Sequence, residues 1–279
     1  MWQAALAFTL VPEGLSPVTF LLLGGLSALV LGAGKAGFAG GVGLLSVPLM
    51  IHACGGETKL ALGIMLPLLI ACDYVSIALW WRRWDWRNVR LLLGGMVVGV
   101  AAGWVTLYLF DELGAEAGKK VTNAALSFSI GLIALGFVGL QIFRSLRGEL
   151  TPFRPSLLHG SLTGWGAGLT STVSHAAGPI VTMYLLPQRL PKGRYVATTV
   201  LYYWIGNQAK LIPYYERKML ALPALAADLA LVPAVVGGAL LGFFLHNRVN
   251  EKVFRVIVHA MLGAVGLHLV VTAAPKLFG

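Results

Sequence analysis

Eight runs of the chain carry little or no charge: Pro17–Ala33, Leu60–Trp81, Leu91–Phe110, Val121–Phe143, Leu157–Leu186, Tyr195–Tyr215, Leu220–His246 and Val256–Pro275. Most reach about 20 residues, the length at which a helix crosses the hydrocarbon core of a bilayer. Inside hydrocarbon the backbone must satisfy its own polar groups, which restricts spanning structures to helices and closed barrels. Barrel strands alternate in polarity over about 10 residues, and these continuous runs do not. The expected fold is therefore an all-α polytopic membrane protein. Composition agrees, with 57% hydrophobic and only 11% charged residues, against roughly 25% charged in a soluble domain. Met1–Ser16 lacks the basic stretch that opens a cleavable signal peptide, so residues 1–279 read as a single membrane transport domain.

The charges that remain lie mostly in short loops. The net charge of +10 comes with no soluble module that could carry a nucleic acid, so lipid is the expected surroundings and nucleic acid is not an expected partner. Loops at Arg82–Arg90, Arg144–Arg154, Arg189–Arg194 and Arg248–Arg255 hold 13 basic residues, and the alternating set at Lys59, Lys119–Lys120, Arg217–Lys218 and Lys276 holds 6. Because the cytoplasmic side keeps the basic excess, this pattern predicts a multi-pass chain with both termini outside. Cys54 and Cys72 lie in or beside apolar segments and read as packing residues. The other histidines, His52, His159, His246, His259 and His268, show no ligand spacing with His175, so neither a metal nor a cofactor is expected.

The chain also repeats itself. "GGLSALVLGAGKAGFAGGVGLLSVPLM" from Gly24 is echoed by "GSLTGWGAGLTSTVSHAAGPIVTMYLL" from Gly160, with Gly24 facing Gly160 and Gly32 facing Gly168 at an offset of 136, and Gly43 facing Gly178 at 135. Further on, Gly99 and Gly103 recur as Gly238 and Gly242 at an offset of 139. Repeat one covers about residues 17–145 and repeat two about 154–275. Each reads as an opening helix, a short apolar piece after a break, and three transmembrane helices. The short pieces, Gly40–Ala53 and Ala176–Pro187, are too short to span, so a broken or re-entrant helix pair opens each half. The loop charges place the two halves in opposite orientations, an inverted repeat. Glycines at Gly94, Gly95, Gly99, Gly103, Gly237, Gly238 and Gly242 suit close helix packing.

Inverted repeats with breaks at matching places mark a midplane substrate site in many secondary transporters. The first break, "GKAGFAGG", contributes Lys35, Gly37, Gly40 and Gly41; the second, "TSTVSHAAGP", contributes Ser174, His175 and Gly178. Short helices starting there would aim free N–H groups and positive dipole ends at a common region, and Lys35 adds a full positive charge. A small anion is the expected ligand. Asn207 and Gln208 on a nearby helix could donate to an oxyanion or hydrogen-bond between helices. Asp73 is expected to balance Lys35 or to titrate during transport, and Lys210 to guard the external route; direct contact between Asp73 and Lys210 is not expected. The plainer alternatives are a snorkelling or carbonyl-tied Lys35, a core-packed His175, and hydration of Asp73 and Lys210 near helix ends. The aromatics of "LWWRRWDW" read as an interfacial belt.

"GKAGFAGGVGLLSVPLM", "IMLPLLIACD", "RRWDWRN" and "TVSHAAGPIVTMYLLPQRL" together resemble the sulfite exporter TauE/SafE family of membrane permeases, from about Gly24 to Tyr215. The resemblance implies a bacterial inner-membrane transporter of small inorganic or organic sulfur anions, such as sulfite or organosulfonates. The residues alone imply only a small anion. They carry no Walker motif, so the driving force is expected to be an ion gradient, the membrane potential or an external ATPase. A channel is the second reading. A membrane enzyme is the third, with no catalytic residues to support it, since neither HExxH nor GxSxG accompanies His175. Homo-oligomerisation stays open.

Overall fold

A computed structural model of the chain describes residues 11–12, 14–39, 43–112, 153–220 and 222–278, with scattered positions between 124 and 146. Gly40 and Gly41, and most of the expected span Val121–Phe143, lie outside the described residues. Helix α1 runs over Pro17–Phe38; Ser16 caps it by accepting from the Thr19 amide, Pro17 occupies its first turn, and a π-turn at Phe20–Gly24 widens its start. The short α2, Gly43–Ala53, follows. Gly55 (φ 63°) and Gly56 (φ 91°) then make the left-handed turn into α3, Thr58–Leu79. After α4, Trp86–Glu112, the second half begins with α5, Leu157–Ser174, capped by Ser156. It continues through the short α6 (Gly178–Leu185), α7 (Lys192–Ala209), α8 (Leu211–Glu216), α9 (Leu222–Arg248) and α10 (Glu251–Phe278).

Among the described residues there is no strand, and five helices are long and apolar enough to cross a membrane: Pro17–Phe38, Thr58–Leu79, Trp86–Leu109, Ala227–Arg248 and Glu251–Leu277. The chain is an all-α polytopic membrane protein. α2, with 11 residues, and α6, with 8, rise about 16 Å and 12 Å at 1.5 Å per residue, less than a bilayer core. The expected run Tyr195–Tyr215 is not one helix: Lys210 closes α7 and opens α8. Both breaks turn on residues other than glycine, since Ala39 (φ 56°) and His175 (φ 54°) take the left-handed conformation that ends α1 and α5. They are themselves 136 residues apart, the offset of Gly24 and Gly160.

Packing between helices comes down to backbone. α1 lies along α9, and α4 along α5, closely enough that side chains are excluded. A Cβ added at Gly238 would stand 2.2 Å from the Leu29 carbonyl oxygen, and one at Gly242 2.3 Å from that of Ala33. In the other pair, a Cβ at Gly99 would stand 2.1 Å from the Trp165 carbonyl oxygen, and one at Gly103 2.6 Å from Thr172 Cβ and 3.1 Å from the Leu169 carbonyl oxygen. Leu29 precedes Trp165 by 136 and Gly99 precedes Gly238 by 139, so the two contacts are the same contact at the offsets of the sequence repeat. In each pair the residue numbers rise together, so the paired helices run parallel. Gly94 and Gly237, expected to help this packing, have nothing within 4 Å of an added Cβ; they sit on the other side of their helices.

The apolar interior is divided. One core joins α1, α2, α3 and α9, through residues such as Leu31, Met50, Met65 and Val235. A second joins α4, α5, α6, α7 and α10, through residues such as Met96, Ala167, Val181, Val200 and Phe254. Gly238→Ala and Gly99→Ala are expected to destabilise the protein by about 1–3 kcal/mol or more, because each forces two backbones apart. Gly237→Ala and Gly94→Ala are expected to be neutral or to stabilise by up to about 1 kcal/mol through helix propensity. Thermal unfolding of the four detergent-purified variants checks this, and equal behaviour within each adjacent pair would contradict the packing.

Candidate functional site

Two helix ends meet opposite the middle of α3, and polar side chains converge on them. Lys35, in the last turn of α1, places Nζ 2.6 Å from Asp73 Oδ1 on α3 and donates to the Leu69 carbonyl at 3.3 Å. The Asp73 Oδ2 accepts from Asn207 Nδ2 on α7 at 2.6 Å. Lys35 and Asp73 are 3% and 0% exposed. A buried charge of this kind persists only when paired and hydrogen-bonded, and this carboxylate has both a cation and an amide donor. The Tyr203 ring lies under the Lys35 ammonium, 5.5 Å from Nζ to the ring centroid.

At the end of α5 the arrangement differs. His175 Nε2 lies 3.1 Å from the Leu62 carbonyl oxygen on α3. A carbonyl can only accept, so Nε2 carries the hydrogen and Nδ1 is bare. Lys210 Nζ then donates to Nδ1 at 3.1 Å, to Ser171 Oγ at 2.9 Å and to the Ser171 carbonyl at 3.4 Å. Those three acceptors match the three hydrogens of an ammonium. The Tyr214 hydroxyl donates to the Thr172 carbonyl at 2.9 Å and lies 3.4 Å from His175 Nε2.

Between these clusters is a cavity of about 40 Å³, room for about three waters at the 10–15 Å³ each needs. Leu31, Lys35, Val47, Met65 and Leu69 line it from the first core's helices, and Ser171, His175, Ala177, Gly178, Tyr203 and Asn207 from the second's. A smaller cavity of about 10 Å³ shares Ser171 and Tyr203 with it and is also lined by Lys210. The Tyr203 hydroxyl is buried without a hydrogen-bond partner among the described residues.

Of the residues singled out in the sequence, Lys35, His175, Gly178 and Asn207 line the main cavity, and Asp73 and Lys210 stand directly behind them. Three do not line it. Gly37 is turned towards α9, where a Cβ would meet the Gly242 carbonyl at 2.5 Å, so its lack of a side chain serves helix packing. Ser174 Oγ donates back to the Thr170 carbonyl, within its own helix. Gln208 lines neither cavity, and its amide nitrogen is buried without a partner. Ser171, Tyr203 and Tyr214 were not among the candidates. Ser171 was within reach of sequence reasoning, because it lies 136 residues after Lys35, just as Gly160 lies after Gly24.

The family model described as "Sulfite exporter TauE/SafE" matches residues 22–269. No curated protein and no solved structure matches the chain.

Lys35→Met leaves the Asp73 carboxylate buried without a cation and is expected to cost about 3–5 kcal/mol of stability. Adding Asp73→Asn removes that charge and is expected to recover most of the loss. Thermal unfolding in detergent reads both, and a double variant no more stable than the single one would contradict the pairing.

Proposed function

The chain belongs to the sulfite exporter TauE/SafE family, and from that premise we propose that it is a secondary transporter, working as an exporter, that moves a small sulfur-containing anion such as sulfite or an organosulfonate. The carrying observation is the cavity at the middle of α3, where Lys35, Ser171, His175 and Asn207 bring cationic and neutral donors together at the ends of two helices. An oxyanion there finds a nearby ammonium, hydroxyl and amide groups, and the first turn of α6, whose Gly178 lines the cavity. A transport role rather than an enzymatic one follows from the family.

We take the two halves to be inverted repeats that open the site to each side in turn. Support comes from the matching offsets of the breaks, from parallel packing of α1 on α9 and of α4 on α5, and from the alternating loop charges. The same charges favour a bacterial inner membrane with both termini outside.

In vesicles reconstituted with the purified protein, sulfite flux is expected to saturate with concentration. Single cysteines at Leu31 and Ala177, in a background with Cys54→Ala and Cys72→Ala, are expected to change reactivity toward membrane-impermeant thiol reagents in opposite directions when sulfite is added. A ligand shifts such an equilibrium only through unequal affinity for its states. Flux that never saturates, with both cysteines reactive whether or not sulfite is present, would point to a channel instead.

A further inference from the structure

Charge at the cavity is unevenly shared. Lys35 on α1 is neutralised by Asp73 on α3. Lys210, 1% exposed at the end of α7, has no carboxylate within ion-pair distance among the described residues, and its contacts are the neutral Ser171 and His175. Protonating His175 at Nδ1 would set that hydrogen against the ammonium, so Lys210 and His175 together hold one positive charge. No other described charge stands at the cavity. His246 on α9 points at the Gly37 carbonyl on the packing side of α1. Asp228 lies one turn before Leu231, which packs on Gly24, about three turns of α1 away from Lys35.

We infer that Lys210, acting through Ser171 and His175, supplies the single uncompensated positive charge of the cavity and restricts its occupant to a small monovalent oxyanion. This rests on the transport function proposed above and narrows its substrate class. By accepting from Lys210, Ser171 Oγ keeps its own hydrogen for the ligand, and the unpartnered Tyr203 hydroxyl offers a second donor. A monoanion brings the buried site to zero net charge, whereas a dianion leaves it at minus one in a medium where unbalanced charge is costly. At about 40 Å³, the cavity holds a head group of a few atoms and excludes a long organic tail while closed.

The test is competition with sulfite flux in reconstituted vesicles by methanesulfonate and sulfate, tetrahedral anions of similar size that differ in charge. Methanesulfonate is expected to inhibit at concentrations where sulfate has no effect. Lys210→Gln keeps polar contacts to Ser171 and His175 but loses the charge, and is expected to weaken methanesulfonate inhibition about tenfold or more. The Lys35→Met/Asp73→Asn double variant, whose net charge is unchanged, is expected to keep the preference for methanesulfonate over sulfate. Equal inhibition by both anions, by sulfate alone or by neither, overturns the inference, as does a Lys210→Gln variant with the wild-type preference and affinity. Loss of the preference in a folded double variant overturns it too, by returning the deciding charge to Lys35. Wild-type vesicles without sulfite flux would overturn the transport function itself, a result distinct from flux without charge preference.

Discussion

A helix that ends inside hydrocarbon leaves carbonyl groups that water cannot reach, and α1 and α5 both end that way. The donors that meet those carbonyls account for most of the polar residues buried in this protein. At the end of α1, the Trp80 indole donates to the Ala36 carbonyl at 2.9 Å and His246 Nδ1 approaches the Gly37 carbonyl at 2.8 Å. At the end of α5, Tyr214 serves the Thr172 carbonyl and Lys210 that of Ser171. Ala36 and Thr172 are 136 residues apart, and Trp80 and Tyr214 are 134 apart, so one solution is used twice with different side chains. The cavity exists because two such endings face each other, and its polarity follows from the need to close them.

The substitutions between the halves are where chemistry enters. Lys35 corresponds to Ser171 at the offset of 136, and Asp73 to Asn207 at 134. One half thus holds an ion pair where the other holds a hydroxyl and an amide, and the two join through the bond from Asn207 to Asp73. A fold built twice from one plan has been given one charged and one neutral lining.

Much of this was legible in the sequence, for reasons that also mark where legibility stopped. The spans, the short helices and the breaks follow from length and from hydrocarbon's intolerance of unpaired backbone, so Lys35, Asp73, His175 and Lys210 stood out as ionisable residues in apolar runs. Position along a helix gives depth but not face. Gly37 and Ser174 have the right depth, yet one packs on α9 and the other bonds into its own helix. Depth alone also left Gly94 indistinguishable from Gly95, whose added Cβ would lie 1.8 Å from the Ser161 carbonyl oxygen. Ser171, Tyr203 and Tyr214 carry no charge and look like ordinary membrane-helix residues; only side-chain reach, set by neighbours distant in sequence, gives them a place at the site. Lys210 read as a residue within one long span, because a helix joint without glycine or proline at the turn leaves little trace in hydropathy.

The two apolar cores do not coincide with the two halves of the sequence. The first takes α1, α2 and α3 from the first half and α9 from the second; the other takes α5, α6, α7 and α10 from the second half and α4 from the first. Since α1 and α9, like α4 and α5, touch backbone to backbone, each helix is lodged with a partner from the other half. Mechanically, the units able to move as solid blocks are these interlaced bundles, and the seam between them crosses the cavity. Motion along that seam would draw the Lys35 wall and the Ser171 wall apart while leaving the ion pair of Lys35 and Asp73 intact inside one block, so the bond that must part is the one from Asn207 to Asp73.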